Sequence, residues 1–280
     1  MTGVATLRLG GDDVPTSALA KRLVSAVTLI PAVVWLTLAG PAVVFHAVVI
    51  ALAAGAAWEL ARMFERAGRG THGWLTPAVA ALVTASFVRP RLVPAALTAA
   101  VLLTLAAPLW RRTAPSTDAV TTTLLAITYV GWMLGHGVLL RELPNGGPLV
   151  LLLLGVTWAG DSAAYFVGST IGRTKLAPVV SPNKTIEGAV GQVVAAIIAA
   201  IALHGWLVPE WTWLAAAVAG VVLGTVAQIG DLAESVIKRS LGTKDTGGLI
   251  PGHGGVLDRL DSVLFNVPAL YYLVTLGGRT

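Results

Sequence analysis

Acids, bases and glycines crowd together near the C-terminal end of a chain that is otherwise apolar. Gly230-Asp231-Leu232-Ala233-Glu234-Ser235 leads to Lys238-Arg239, then Lys244-Asp245, then Gly252-His253-Gly254-Gly255 and Asp258-Arg259-Leu260-Asp261. Asp231, Glu234 and Lys238 recur at helical spacing and so share one helix face. Asp258 and Asp261, three residues apart, share a face at the start of another helix. Carboxylates grouped in this way suit a hard divalent cation such as Mg²⁺, which takes a few protein carboxylates and fills its shell with water and phosphate oxygens. Asp231, Asp258 and Asp261 are therefore the candidate metal ligands. Lys238, Arg239, Lys244 and Arg259 supply the counter-charge a polyphosphate needs, and the glycines beside His253 let backbone approach a ligand closely. The plainer alternative is a row of solvated helix ion pairs contributing about 0.2–0.5 kcal/mol each. It accounts for Asp231, Glu234 and Lys238 but not for the glycine loop and the acids after it. His253 alone among glycines reads as a hydrogen-bond donor or loop anchor rather than a base.

A second constellation lies upstream. Asp161, in Thr157-Trp158-Ala159-Gly160-Asp161-Ser162-Ala163-Ala164-Tyr165, falls inside an apolar run. A carboxylate at that depth must face protein or a water-filled cavity. A structural carboxylate held by hydrogen bonds and a cavity-lining group near an active site are equally consistent with it. Next come Arg173-Thr174-Lys175 and Ser181-Pro182-Asn183-Lys184-Thr185-Ile186-Glu187-Gly188. Ser181 is the expected helix cap, with Pro182 in the first turn. Cations beside free amides at a helix start make a natural phosphate site. An ordinary positively charged loop explains Arg173 and Lys175 equally well. The glycines here match no Walker A pattern.

The elements that must position these residues are membrane helices. Of the 280 residues, 55% are hydrophobic and 12% charged, and the mean hydropathy is +0.79. Crossing about 30 Å of hydrocarbon at about 1.5 Å per residue takes roughly 20 apolar residues. Runs near that length occur at 23–39, 42–61, 74–88, 92–109, 121–140, 149–168, 189–206, 213–229 and 256–276. The fold class is all-α: a polytopic helical integral membrane protein with about nine transmembrane helices and cytoplasmic catalytic loops. Residues 1–20 form a disordered polar tail, 21–150 the N-terminal transmembrane helices, and 151–280 the C-terminal catalytic region. The run after Lys21-Arg22 reads as a retained span rather than a cleaved signal. With nine spans, only Arg89, Arg91, Arg141 and Arg279 of the 19 Lys and Arg residues fall on the side opposite the N-terminus. The positive-inside rule then puts the N-terminus and both polar loops in the cytoplasm. The absence of cysteine excludes disulfides and thiolate metal sites. The net charge of +5, spread over loops, points to anionic lipid rather than nucleic acid.

The run Ser235-x-x-Lys238-Arg239-x4-Lys244-Asp245-x-Gly247-x-x-Ile250-Pro251-x-His253-Gly254-Gly255-Val256-x-Asp258-Arg259-Leu260-Asp261 resembles the signature of the phosphatidate cytidylyltransferase (CDP-diacylglycerol synthase) family. Ser181-Pro182-x-Lys184-Thr185-x-Glu187-Gly188 and Asp161…Tyr165…Gly168 resemble it as well. The likeness runs from Thr157 to the last span, with the signature over 235–261. Asn183 stands where family members often carry a basic residue. The resemblance implies a Mg²⁺-dependent reaction of CTP with phosphatidate in the plasma membrane, giving CDP-diacylglycerol and pyrophosphate. It implies catalytic roles for Lys238, Asp245 and Asp258, and a metal centre at Asp231, Asp258 and Asp261, with a second cation as an option. Substrate contacts would come from Ser181, Lys184, Thr185, Arg239, Lys244, His253 and Arg259. The expected partners are CTP, phosphatidate and membrane lipid, with a second copy of the chain as a candidate. A related CTP-dependent enzyme acting on polyprenol or ether lipid is the nearest rival, and an ion-coupled transporter is a remoter one.

Overall fold

The computed structural model describes residues 6–9, 12–15, 30–110, 116–247 and 254–277. Helix dominates, because backbone groups in hydrocarbon have no water to bond and must be satisfied within the segment. In chain order the helices are α1 (30–38), α2 (Ala42–Arg66), α3 (Leu75–Ser86), α4 (Val93–Ala106), α5 (Thr117–Leu125), α6 (Met133–Glu142), α7 (Gly146–Thr170), α8 (Ile186–Leu207), α9 (Trp213–Ser240) and α10 (Leu257–Leu276). π-helical turns at Ala126–Trp132 join α5 to α6. Each apolar run read from the sequence overlaps a helix. Among the described residues, six helical segments are long and apolar enough to cross a membrane: α2, Pro90–Trp110 around α4, Thr117–Glu142, α7, α8 and α9. α3 has 12 residues and rises only about 18 Å. α10 has 20 but opens with Asp258, Arg259 and Asp261.

Within the stretch expected to be a disordered tail, β1 (Thr6–Leu9) pairs antiparallel with β2 (Asp12–Pro15). A second hairpin joins α7 to α8, with β3 (Lys175–Ala177) antiparallel to β4 (Ser181–Thr185). This hairpin corrects the expected helix start. Ser181 pairs with Ala177 and Lys175 with Thr185, so the chain stays extended through Pro182. The cap is Thr185, whose side chain accepts from Gly188 N at 3.1 Å. Pro182 is tolerated because a two-stranded ribbon has only edges.

The C-terminal helices pack through small residues, as expected where lipid supplies no hydrophobic drive between helices and close backbone approach must supply contact instead. A Cβ on Gly224 of α9 would lie 2.9 Å from Val193 Cα of α8, and one on Gly188 of α8 would lie 2.9 Å from Ala164 O of α7. The other half of the core is built by α2, α3, the π-helical turns, α6 and α7 around Leu60, Val83, Ile127, Val138 and Leu152, all buried. The C-terminal ends of α2, α7 and α9 and the N-terminal ends of α8 and α10 thereby meet at one level. That convergence is where the polar residues lie.

Candidate active site

One cavity of about 640 Å³ opens at this convergence. α7 contributes Asp161, Tyr165 and Gly168; the hairpin contributes Lys175, Asn183, Lys184 and Thr185; α8 contributes Gly188 and Gln192. Gln228 and Asp231 come from α9, and Asp258, Arg259, Asp261 and Ser262 from α10. Residues far apart in sequence are thus gathered because five elements meet there.

Polar ties brace the inner wall. Gln192 Nε2 donates to Asp161 Oδ1 at 2.9 Å, and Ser262 Oγ reaches the same oxygen at 3.4 Å. One turn further in, Asn266 Nδ2 donates to Thr157 Oγ1 at 2.8 Å. Asp161 is therefore both hydrogen-bonded and cavity-lining, so its two readings coincide. At the rim, Lys184 Nζ stands 2.6 Å from Asp231 Oδ2. Glu187 clasps the approach to β3, accepting from Arg173 N at 3.1 Å and Thr174 Oγ1 at 3.0 Å.

Behind the cavity lies a buried charge cluster. Lys238 Nζ is 2.9 Å from Glu234 Oε1 and 2.9 Å from Asp258 Oδ1. Asp258 Oδ2 accepts from Thr246 N at 3.1 Å, Thr246 Oγ1 at 2.8 Å and Gly255 N at 3.1 Å. Lys238 thus meets the cavity wall through Asp258. Arg239 is exposed and ties the hairpin to α9, with Nε donating to Val180 O at 3.3 Å.

Asp231, Asp258, Asp261, Lys184, Thr185 and Arg259 all line the cavity. Ser181 lies on β4 outside its lining, while Lys244 and Asp245 sit on an exposed turn, where Asp245 O accepts from Thr243 Oγ1. His253 lies outside the described residues. Asp231, Asp258 and Asp261 do not form a ready-made metal cage. No group of three or more His, Asp or Glu among the described residues is placed to hold a metal ion, and both oxygens of Asp258 are already engaged. The donor chemistry nevertheless fits Mg²⁺ carried in with a phosphate ligand. Asp231 and Asp261 are hard oxygen donors on one cavity, and Mg²⁺ needs only one or two such carboxylates.

Sequence reasoning passed over Gln192, Gln228, Thr246 and Glu59. Glu59 was detectable as a lone acid inside an apolar run. Thr246 lies between two signature residues without a chemical cue of its own.

Residues 20–276 match the family described as the cytidylyltransferase family. The chain is 39% identical over 153 residues to a phosphatidate cytidylyltransferase of Bacillus subtilis, covering 54% of this chain and 57% of that protein. It is 41% identical over 138 residues to a phosphatidate cytidylyltransferase of Synechocystis, covering 49% and 46%. It is also 41% identical over 152 residues to the uncharacterized protein YnbB of Escherichia coli, covering 54% and 50%. The matched segment spans about half the length of these relatives.

Proposed function

The chain belongs to the cytidylyltransferase family, and from that premise we propose that it transfers a cytidylyl group from CTP to phosphatidate. A phosphate oxygen of phosphatidate attacks the α-phosphorus of CTP. The bond from that phosphorus to the α,β-bridging oxygen breaks, and its electron pair leaves with pyrophosphate. The products are CDP-diacylglycerol and pyrophosphate. A phosphate monoester is already nucleophilic at neutral pH, so the site needs positioning and charge stabilisation more than acid–base groups. The observation that carries this reading is the cavity where carboxylates, lysines and an arginine meet at the helix ends.

Lys184 and Arg259 bind substrate phosphates from the rim, and Lys175 adds charge at the hairpin. Asp231 and Asp261 would hold Mg²⁺, which when bound supplies charge stabilisation to the transferring group and the leaving pyrophosphate. Asp258, locked by Lys238 and Thr246, fixes the relative placement of α9 and α10. Tyr165 lines the cavity yet is 71% exposed, beside Phe166 at 63%. An apolar border of this kind lets acyl chains remain in the bilayer while the headgroup enters. The membrane is the plasma membrane, with the cavity and its loops on the cytoplasmic side, where CTP is supplied.

The test is transfer of label from CTP to lipid by purified protein in phosphatidate micelles with Mg²⁺. Wild type should form lipid-linked CMP and lose all turnover in excess chelator. Asp261→Asn should fall about 100-fold or more, because several kcal/mol of charge stabilisation depend on that ligand, and should need more Mg²⁺ for half-maximal rate. Undiminished activity in Asp261→Asn removes the metal assignment. Label passing to added polyprenol but not to phosphatidate transfers the conclusion to a lipid kinase.

A further inference from the structure

We propose that Glu59, outside the signature and outside the cavity, is a positioning residue that holds Thr246 and the first turn of α10. The inference rests on the cytidylyl-transfer reading above. Glu59 lies near the C-terminal end of α2 and is only 1% exposed. Its Oε2 accepts from Leu257 N at 2.9 Å, across 198 positions of sequence. Leu257 is the first residue of α10, where an N–H has no partner within the helix. A carboxylate there also meets the positive end of the helix dipole.

The second contact reaches the charge cluster. Thr246 Oγ1 lies 2.8 Å from Asp258 Oδ2 and 3.5 Å from Glu59 Oε2. Thr246 is fully buried, so its hydroxyl is held between two carboxylates, donating to the nearer one. The backbone at Gly247 and Gly255 packs closely against Glu59. A Cβ on Gly247 would lie 2.9 Å from Glu59 Oε1, and one on Gly255 would collide with Thr246 and come within 2.7 Å of Glu59 Oε2. Glycine at both positions is what lets the backbone there approach the carboxylate. The line of contact runs from Glu59 through Thr246 to Asp258 and on to Lys238 and Glu234. The N-terminal half thereby sets the position of a cavity wall to which it contributes no lining residue among the described residues.

The experiment compares Glu59→Ala with Glu59→Gln in the full-length protein, read as kcat and CTP KM per folded molecule. Glu59→Ala should lower kcat about 100-fold, the scale of a misplacement of about 1 Å, with CTP KM within about threefold of wild type. Glu59→Gln keeps an acceptor for Leu257 N and should stay within about tenfold. Glu59→Asp keeps the charge but draws the acceptor back from Leu257 N and should repeat the kcat loss, which decides the matter if Glu59→Ala does not fold. Hydrogen exchange of residues 254–262 without substrate should quicken in Glu59→Ala and not in Glu59→Gln. Normal kcat and normal exchange in Glu59→Ala overturn the proposal, as does an equal loss of kcat in Glu59→Gln. A wild-type protein that transfers no label to lipid refutes the reaction instead, and the exchange result still decides whether Glu59 anchors the start of α10.

Discussion

Lys238 illustrates what a single residue must do in a buried cluster. Glu234 is fully buried and Asp258 mostly so, and neither carboxylate is tolerable there without a partner. One ammonium serves both, and in doing so joins α9 to α10. Removing one partner of a buried ion pair costs about 3–5 kcal/mol, because the remaining charge is left desolvated. Lys238→Met should therefore lower thermal stability in detergent by about that amount, beyond any effect on catalysis. Lys238→Met combined with Glu234→Gln should recover part of the loss. Melting of Lys238→Met at the wild-type temperature would show that the cluster does not hold the helices together. Lys184 is in a different situation, since it and its Asp231 partner both line the cavity, so opening that pair leaves neither charge sealed from solvent.

Among the elements, the β3–β4 hairpin does what no helix end could. It carries Lys175, Asn183, Lys184 and Thr185 to the cavity rim and hands the chain to α8 through the Thr185 cap. Ile186 N donates to Thr174 O at 2.9 Å, so the hairpin and the first turn of α8 are one unit. Loss of an N-cap side chain costs about 1 kcal/mol. Thr185→Ala should show that loss in a thermal melt together with a raised CTP KM, and Thr185→Ser should reverse both. Unchanged stability in Thr185→Ala would mean that the hairpin pairing alone sets the start of α8.

At the scale of the whole molecule, the chain is a multi-pass membrane protein whose polar groups collect at one end of the helices. The other end is stitched by lighter contacts, with Asn145 Nδ2 donating to Glu210 Oε1 at 2.9 Å and His46 Nε2 3.0 Å from Glu142 Oε1. The positive-inside rule assigns the two ends to opposite faces, and a chain without cysteine allows a clean test. Val179→Cys, at a position 90% exposed on the hairpin, should react with an impermeant maleimide only in inside-out vesicles. Glu210→Cys should react only in intact cells or right-side-out vesicles. Labelling of both from the same side would overturn the orientation.

Hydropathy along the chain determined the helical membrane class and the approximate place of the six described segments long enough to cross a membrane, because burial in lipid is a local demand that each segment meets alone. Local spacing also placed Asp231, Glu234 and Lys238 on one face, and the signature marked Asp258, Arg259 and Asp261 as neighbours. What spacing could not decide was which of these groups are spent on one another. Tertiary packing alone set Lys238 against Asp258, turned Ser181 and Pro182 into strand, left Lys244 and Asp245 on the surface, and brought Asp161, Gln192 and Ser262 together. Glu59 is the clearest case. Its partners lie 187 and 198 positions away, and only the packing of α2 against Thr246 and the start of α10 brings them within reach.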